Sequence, residues 1–286
     1  MPPLTQPPPL PARPADGHKG MFGRVLVVGG HEEMIGAPVL AGTSALKMGA
    51  GLVQIAVPAS VLATCLSITP ELIGLGLGKG VSKNRLLEAA EKADALVIGP
   101  GLGQSAQAAD RLDLLIRLEK SMVIDADALN LLASLKKWPK YFRGGAVLTP
   151  HPGEMARLAP LFGASSVPPD EEGRIKIATD AAKAFNQVIV LKGHRTVATD
   201  GSRVYLNETG DSSLSKAGAG DVLSGIVGAL LAVKMDRFDA ACASVWLHGT
   251  AGQTAGQRLG LRSVLSRDVI DSLPSAISAL ESNMPR

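Results

Sequence analysis

The sequence predicts an α/β fold in one large domain: a mostly parallel sheet, helices on both of its faces, and an antiparallel hairpin at one edge. Three observations carry this expectation. Short β-branched runs, apolar throughout, alternate with amphipathic stretches of helical period. Glycine-rich turns follow several of these runs, drawing on 32 glycines in 286 residues. Near residue 200 an Asp-Gly pair separates two short runs of strand character, the mark of a tight hairpin. With 46% hydrophobic residues, the chain can bury a full core.

In chain order, 24–28, 52–57, 95–98, 122–125, 146–148 and 188–191 read as buried parallel strands. Between them, helices are expected at 38–48, 84–93, 106–118, 152–159 and 171–185. Pro38 suits a first helical turn, where its missing N–H costs no bond. Beyond Lys192 the rhythm changes, and 196–199 and 203–206 pair around Asp200-Gly201. Helices at 222–234, 239–258 and 266–279 complete a single domain over 15–286, with no internal repeat. Residues 1–14 hold seven prolines and no apolar core, so they are expected to form a disordered tail.

Composition excludes several function classes. A net charge of +3, without basic runs interleaved with aromatics, argues against nucleic acid. No apolar run reaches the length that spans a bilayer. Cys65 and Cys242 lack CxxC or metal spacing and read as small core residues in a reducing, cytoplasmic setting. The stretch 74–80 (GLGLGKG) lacks the first glycine of a P-loop and has Gly80 in place of the magnesium-binding Ser or Thr, so it is expected to be a plain loop. Gly29-Gly30 and Gly99-Pro100-Gly101-Leu102-Gly103 miss the dinucleotide spacing, which argues against a conventional dehydrogenase.

The residues that carry chemistry cluster at predicted strand ends. Gly218-Ala219-Gly220-Asp221 opens a long apolar helix, and free N–H groups at such a terminus attract anions that glycines allow to approach closely. A carboxylate there would repel a phosphate, unless it takes a proton from the group that attacks it. On these four residues alone, a capped turn and a phosphoryl-transfer site stand equal. Asp125 and Asp127 end another strand; capping accounts better for Asp125, and capping and catalysis equally for Asp127. His151 and Glu154 lie within a Pro- and Gly-fixed turn; their spacing is not that of a zinc site, but Glu154 could hold magnesium through water. Lys192-Gly193-His194-Arg195-Thr196 leaves the last long strand as a turn suited to a nucleotide's phosphates and ribose.

The strand before Lys192-Gly193, the hairpin and the Gly218-Ala219-Gly220-Asp221 helix resemble the ribokinase-like superfamily. With His18-Lys19-Gly20, Gly36-Ala37-Pro38, Gly99-Pro100-Gly101-Leu102-Gly103, Asp125-Ala126-Asp127-Ala128-Leu129-Asn130 and Thr149-Pro150-His151-Pro152-Gly153-Glu154, the chain resembles the NAD(P)H-hydrate dehydratases from about residue 18 to 280. The resemblance implies a three-layer sandwich and a repair reaction. In that reaction the hydroxyl on carbon 6 of (6S)-NADHX or NADPHX is phosphorylated by ADP or ATP with magnesium, and phosphate is then eliminated to restore NADH or NADPH. It makes Asp221 the base and Gly218, Ala219 and Gly220 the anion hole. It assigns Ala37, Gly103, His151 and Asp221 to the hydrate, and Lys192, Gly193, His194, Arg195, Thr196 and Gly220 to the nucleotide. The segment 208–216 departs from the Gly-Asn-Pro-type stretch of many relatives, and His151 stands where related kinases have asparagine. ADP is the expected donor, because the bacterial dehydratases the chain resembles use ADP, eukaryotic ones ATP, and the compact Lys192 turn shows no long basic extension for a third phosphate. A homo-oligomer, taken as a tetramer, and a separate epimerase as functional partner complete the expectation. The alternatives are a kinase of the same superfamily, acting on hydroxyethylthiazole or a sugar, and a nucleotide sensor without turnover.

Overall fold

A computed structural model describes residues 3–78, 83–135 and 138–282. Among them the chain runs β1 (Arg24–Val28), α1 (Gly36–Lys47), β2 (Leu52–Pro58), α2 (Leu62–Ile68), β3 (Ile73–Leu77), α3 (Lys83–Lys92) and β4 (Ala95–Ile98). It continues through α4 (Ala106–Leu115), β5 (Ser121–Ile124), α5 (Ala126–Ser134), β6 (Gly145–Leu148), α6 (Pro152–Leu158), α7 (Glu171–Phe185) and β7 (Val188–Leu191). The last elements are β8 (Val197–Thr199), β9 (Val204–Leu206), α8 (Ala219–Ala232), α9 (Arg237–Leu259) and α10 (Ser266–Ser282). The strands form one sheet in the order β3-β2-β1-β4-β5-β6-β7-β8-β9. Pairing is parallel from β3 to β7 and antiparallel from β7 to β9, as the sequence led us to expect.

The central strands sort their side chains by size. Val25, Val27, Ala95, Val97, Val123, Val147, Val188 and Val190 face the layer of α1, α8 and α9. The opposite face, toward α3 to α7, carries mostly larger groups such as Leu26, Leu96, Ile98, Met122, Ile124 and Leu148. The small face exists because α8 lies close against it. A Cβ on Gly228 would come within 2.4 Å of Val97 Cγ2, and one on Gly225 within 2.0 Å of Ala41 O and Ser44 Oγ on α1. Of the 14 residues of α8, all but Gly220 and Asp221 are buried, so this helix is a core element apolar on every side. Its N-terminus is thereby fixed over the carboxyl ends of β4 to β7.

Two expectations are corrected. The stretch 74–80 is not a plain loop: residues 73–77 form edge strand β3, while Lys79 and Gly80 lie outside the described residues. Leu75 and Leu77 point into the core, and Gly74 leaves room for α2, whose Leu62 Cδ1 would lie 2.7 Å from an added Cβ. Here glycine in a strand marks close packing of a neighbouring helix. The described part of the proline-rich segment is also docked. Leu4 N–H donates to Val204 O and Leu4 O accepts from Leu206 N–H, each at 2.8 Å, which covers the open edge of β9. Arg13 stacks 3.7 Å over Phe22 and donates to Gly49 O. Prolines forbid a ladder of main-chain bonds but not such single anchors.

The seating of α8 can be measured. Gly225→Ala is expected to lower unfolding free energy by about 2–3 kcal/mol in urea titrations, because its methyl has nowhere to go. Gly36→Ala, at a site with nothing within 4 Å of the added carbon, is expected to stay within about 0.5 kcal/mol of the native protein.

Candidate active site

Four neighbouring strands deliver their carboxyl ends to one place. β4 leads into Gly99, β5 into Asp125, β6 into Thr149-Pro150-His151, and β7 into Lys192. Loop-to-loop bonds lock them together: Asp125 N–H donates to Ile98 O, Thr149 N–H to Ile124 O, and Lys192 N–H to Pro150 O. Above them lies the N-terminus of α8. Gly218 sits at φ +89°, and a Cβ there would meet Leu40 Cδ1 at 2.7 Å and Ser266 Oγ at 2.8 Å, so only glycine fits. Ser266 Oγ holds the turn in place by donating to Ala217 O at 2.8 Å.

The centre of the site is a buried ion pair. Lys192 Nζ lies 2.7 Å from Asp125 Oδ1 and 3.7 Å from Glu154 Oε2. The other Asp125 oxygen accepts from Ser224 Oγ, on α8, at 2.6 Å. The sequence assigned Asp125 to capping α5, but its side chain makes no capping bond and serves this network instead. The next residue, Ala126, is held at φ +49°, a left-handed conformation that costs a non-glycine residue about 1–2 kcal/mol. Asp127 accepts from Gly103 N–H at 2.8 Å and so ties the Gly99–Gly103 loop to α5. Ala37, buried on α1, packs against the same loop. His31, which sequence reasoning passed over, donates from Nδ1 to Gly101 O at 2.9 Å.

His151 opens α6 as its cap. Its Nδ1 accepts from Gly153 N–H and Glu154 N–H, while its own N–H donates to Glu154 Oε2 at 2.7 Å. His151 Nε2 also lies 3.5 Å from Glu154 Oε1. Among the described residues, no group of three or more acidic, histidine or cysteine side chains is arranged to hold a metal ion. Glu154, expected as a water-mediated magnesium ligand, accepts from the His151 cap and faces Lys192.

Lys192, Gly193, His194, Arg195, Thr196 and Gly220 all line one cavity of about 400 Å³, together with Thr209, Leu214 and the α9 residues Val245, His248 and Gly249. A Cβ on Gly220 would stand 3.4 Å from Lys192 Nζ, so this ammonium faces the mouth of the α8 terminus. Arg195 is differently placed: its guanidinium pairs with Glu171 and Glu208. The turn is clamped from outside by Arg174 of α7, which donates to the carbonyls of Leu191, Lys192 and His194. No sequence signal marked Arg174, because its partners are main-chain atoms 17 to 20 residues away. His248 was equally silent. Burial pushes its imidazole down to about 4, so the ring is neutral.

Charge in this crevice is finely set. Burial works against the Lys192 ammonium, but Asp125, Glu154 and Asp221 outweigh it and hold its pKa above the ordinary range. Burial and the nearby charge of Asp125 push the Asp221 carboxyl up to about 7, with Asp127 and Glu154 adding to the rise and Lys192 opposing it. Glu154 is raised as well, chiefly by burial. A carboxyl that titrates near neutrality, beside free N–H groups and a fixed ammonium, can accept a proton from a hydroxyl while an anion is held next to it.

A mostly parallel sheet with helices on both faces and an antiparallel edge is the ribokinase-like arrangement. The sequence model for NAD(P)H-hydrate dehydratase matches residues 25–275, and the chain belongs to that family. It is 41% identical over 281 residues to the bifunctional NAD(P)H-hydrate repair enzyme of Moorella thermoacetica, covering 95% of this chain and 52% of that protein. The chain thus spans about half the length of the bifunctional relatives it matches. The ADP-dependent (S)-NAD(P)H-hydrate dehydratase of Neisseria meningitidis is 38% identical, with 89% of this chain and 84% of that protein covered. Among solved structures, the ADP/ATP-dependent NAD(P)H-hydrate dehydratase of Bacillus subtilis, co-crystallised with ATP and magnesium, superposes with a TM-score of 0.81 at 30% identity, over 96% and 95% of the two chains.

The raised carboxyl carries a stability cost with a definite sign. Between its ordinary value of 3.8 and about 7 the folded chain holds a proton at Asp221 that the unfolded chain has lost, so stability falls as pH rises through that window. Asp221→Asn removes this term. The variant is expected to be more stable than the native protein by about 1–4 kcal/mol at pH 8, with the difference closing below about pH 4. Urea titrations at the two pH values measure it.

Proposed function

We propose that this chain dehydrates the (6S) hydrates of NADH and NADPH back to the intact cofactors, at the expense of an adenine nucleotide. The observation that carries the reading is the juxtaposition of a carboxyl titrating near 7 with the α8 anion hole and the Lys192 cavity, in a chain of this family. The hydroxyl on carbon 6 of the hydrate is a poor leaving group. In our reading Asp221 removes its proton as its oxygen attacks the terminal phosphorus, and the N–H groups of Gly218, Ala219 and Gly220 bear the charge on the transferring group. The nucleotide's bridging bond breaks at the same time. The ring nitrogen's lone pair then expels phosphate from carbon 6, and loss of a proton from the neighbouring carbon restores the ring double bond.

The Lys192–Thr196 turn and Gly220 hold the nucleotide in this reading, and Ala37, Gly103 and His151 hold the hydrate. ADP is the favoured donor; the Neisseria relative's name supports it, and the Bacillus relative's name allows ATP. Asp125 and Glu154 do not fit a direct magnesium site, because Lys192, Ser224 and His151 already occupy their oxygens. An NAD(P)H-hydrate epimerase is the functional partner the reaction calls for. Exposed Leu259, at the end of α9, with Leu261 and Leu265 before α10, supports a homo-oligomer, with a tetramer our working state. Two buried, unpaired cysteines support a reducing cytoplasmic setting, and no described helix is long and apolar enough to cross a membrane.

The direct assay mixes protein, NADHX, magnesium and either nucleotide, and follows the absorbance of regenerated NADH. Equal yields of AMP, inorganic phosphate and NADH from ADP are expected. Accumulation of a stable phosphorylated compound would instead make the protein a kinase, and nucleotide binding without turnover would make it a sensor. Turnover is expected to rise with pH through about 7 as Asp221 loses its proton. Asp221→Asn is expected to lose about 10³-fold or more in kcat with nucleotide affinity within a few-fold, a split that separates a base from a binding group.

A further inference from the structure

The carboxylates of this crevice already have a cation. Asp125 and Glu154 flank one ammonium, Lys192, at 2.7 and 3.7 Å, and the charge of Asp221 also acts on it. Three of the four oxygens of Asp125 and Glu154 accept hydrogen bonds or face that ammonium. Asp125 Oδ1 takes Lys192 Nζ at 2.7 Å, Asp125 Oδ2 takes Ser224 Oγ at 2.6 Å, and Glu154 Oε2 takes His151 N–H at 2.7 Å with Nζ at 3.7 Å. A divalent metal needs the same oxygens at about 2.0–2.1 Å for magnesium and cannot share them with an ammonium. Two cations in one buried cage would also repel each other strongly.

We propose that the Lys192 ammonium is the resident cation of this carboxylate cage and closes it to divalent metal in the nucleotide-free protein. The chain is then self-neutralised at rest, and any metal the reaction uses enters bound to nucleotide phosphates instead of waiting in the site. Only this ordering rests on the nucleotide reading above; the occupancy of the cage does not. Exchanging Lys192 for a neutral side chain would leave Asp125 and Glu154 without their shared cation and free Asp125 Oδ1 to ligate a metal ion.

The test uses metal alone, without nucleotide or hydrate, so its outcome is independent of the dehydratase assignment. Manganese is titrated into the full, metal-stripped chain and free Mn²⁺ is read by electron paramagnetic resonance. The native protein is expected to show no saturable site below about 1 mM, and Lys192→Met to bind one Mn²⁺ per chain at least about tenfold more tightly. Adding Asp125→Asn to Lys192→Met is expected to abolish that site, and Lys192→Arg, which keeps the charge, to behave like the native chain. Unpaired buried carboxylates can prevent folding. Lys192→Gln, which keeps a donor for Asp125 Oδ1 without the charge, then takes the place of Lys192→Met, with circular dichroism as the check. Equal manganese affinity in the native and neutral variants, or no site in a folded neutral variant, overturns the proposal.

Discussion

The contact between Asp125 and Lys192 is the constraint on which the rest of the site depends. It joins the ends of β5 and β7 across the intervening strand β6, and through Ser224 it fastens both to α8. A buried ion pair of this kind gains little net stability, since desolvation consumes most of the attraction. Its value here is placement. It sets one positive charge beside the mouth of the α8 terminus and leaves Asp221, one turn from Ser224 on the same helix, among like charges with a single shared counter-ion.

That imbalance explains the chemistry. Burial disfavours the Asp221 carboxylate, and because one ammonium cannot neutralise Asp125, Asp127, Glu154 and Asp221 together, their charge raises its affinity for protons further. The fold supplies the geometry for this at some cost. Ala126 sits in a left-handed conformation, α8 is pressed onto the sheet through Gly225 and Gly228, and the Lys192 turn is held by Arg174 from outside. Local strain of this sort is affordable only within a rigid, densely packed frame.

Most of the frame was legible in the sequence, because it is written in local signals. Buried strands read as apolar runs, and helix starts as Pro38 and the Gly218-Ala219-Gly220-Asp221 turn. β3 was missed because glycines at every second position look like a turn until a helix is known to lie over them. The docked Leu4 was missed because its partner is 201 residues away. The same distance effect governs the site. Asp221, the Lys192 turn and the Gly99–Gly103 loop announce themselves, but Asp125 looks like a cap. Its true partners, Lys192 and Ser224, lie 67 and 99 residues along the chain, and only the strand order brings them together. Arg174 and His248 carry no motif, since one works through main-chain carbonyls and the other through burial.

The central claim is that burial, together with this surplus of negative charge, holds Asp221 near neutrality. Carboxyl-carbon NMR of the protein labelled at aspartate, titrated from pH 4 to 9, measures it directly. The account expects one resonance, missing from Asp221→Asn, that titrates near pH 7 and moves upward when Lys192 is made neutral. A resonance for Asp221 that titrates below about pH 5, in the range of ordinary carboxylates, would contradict it.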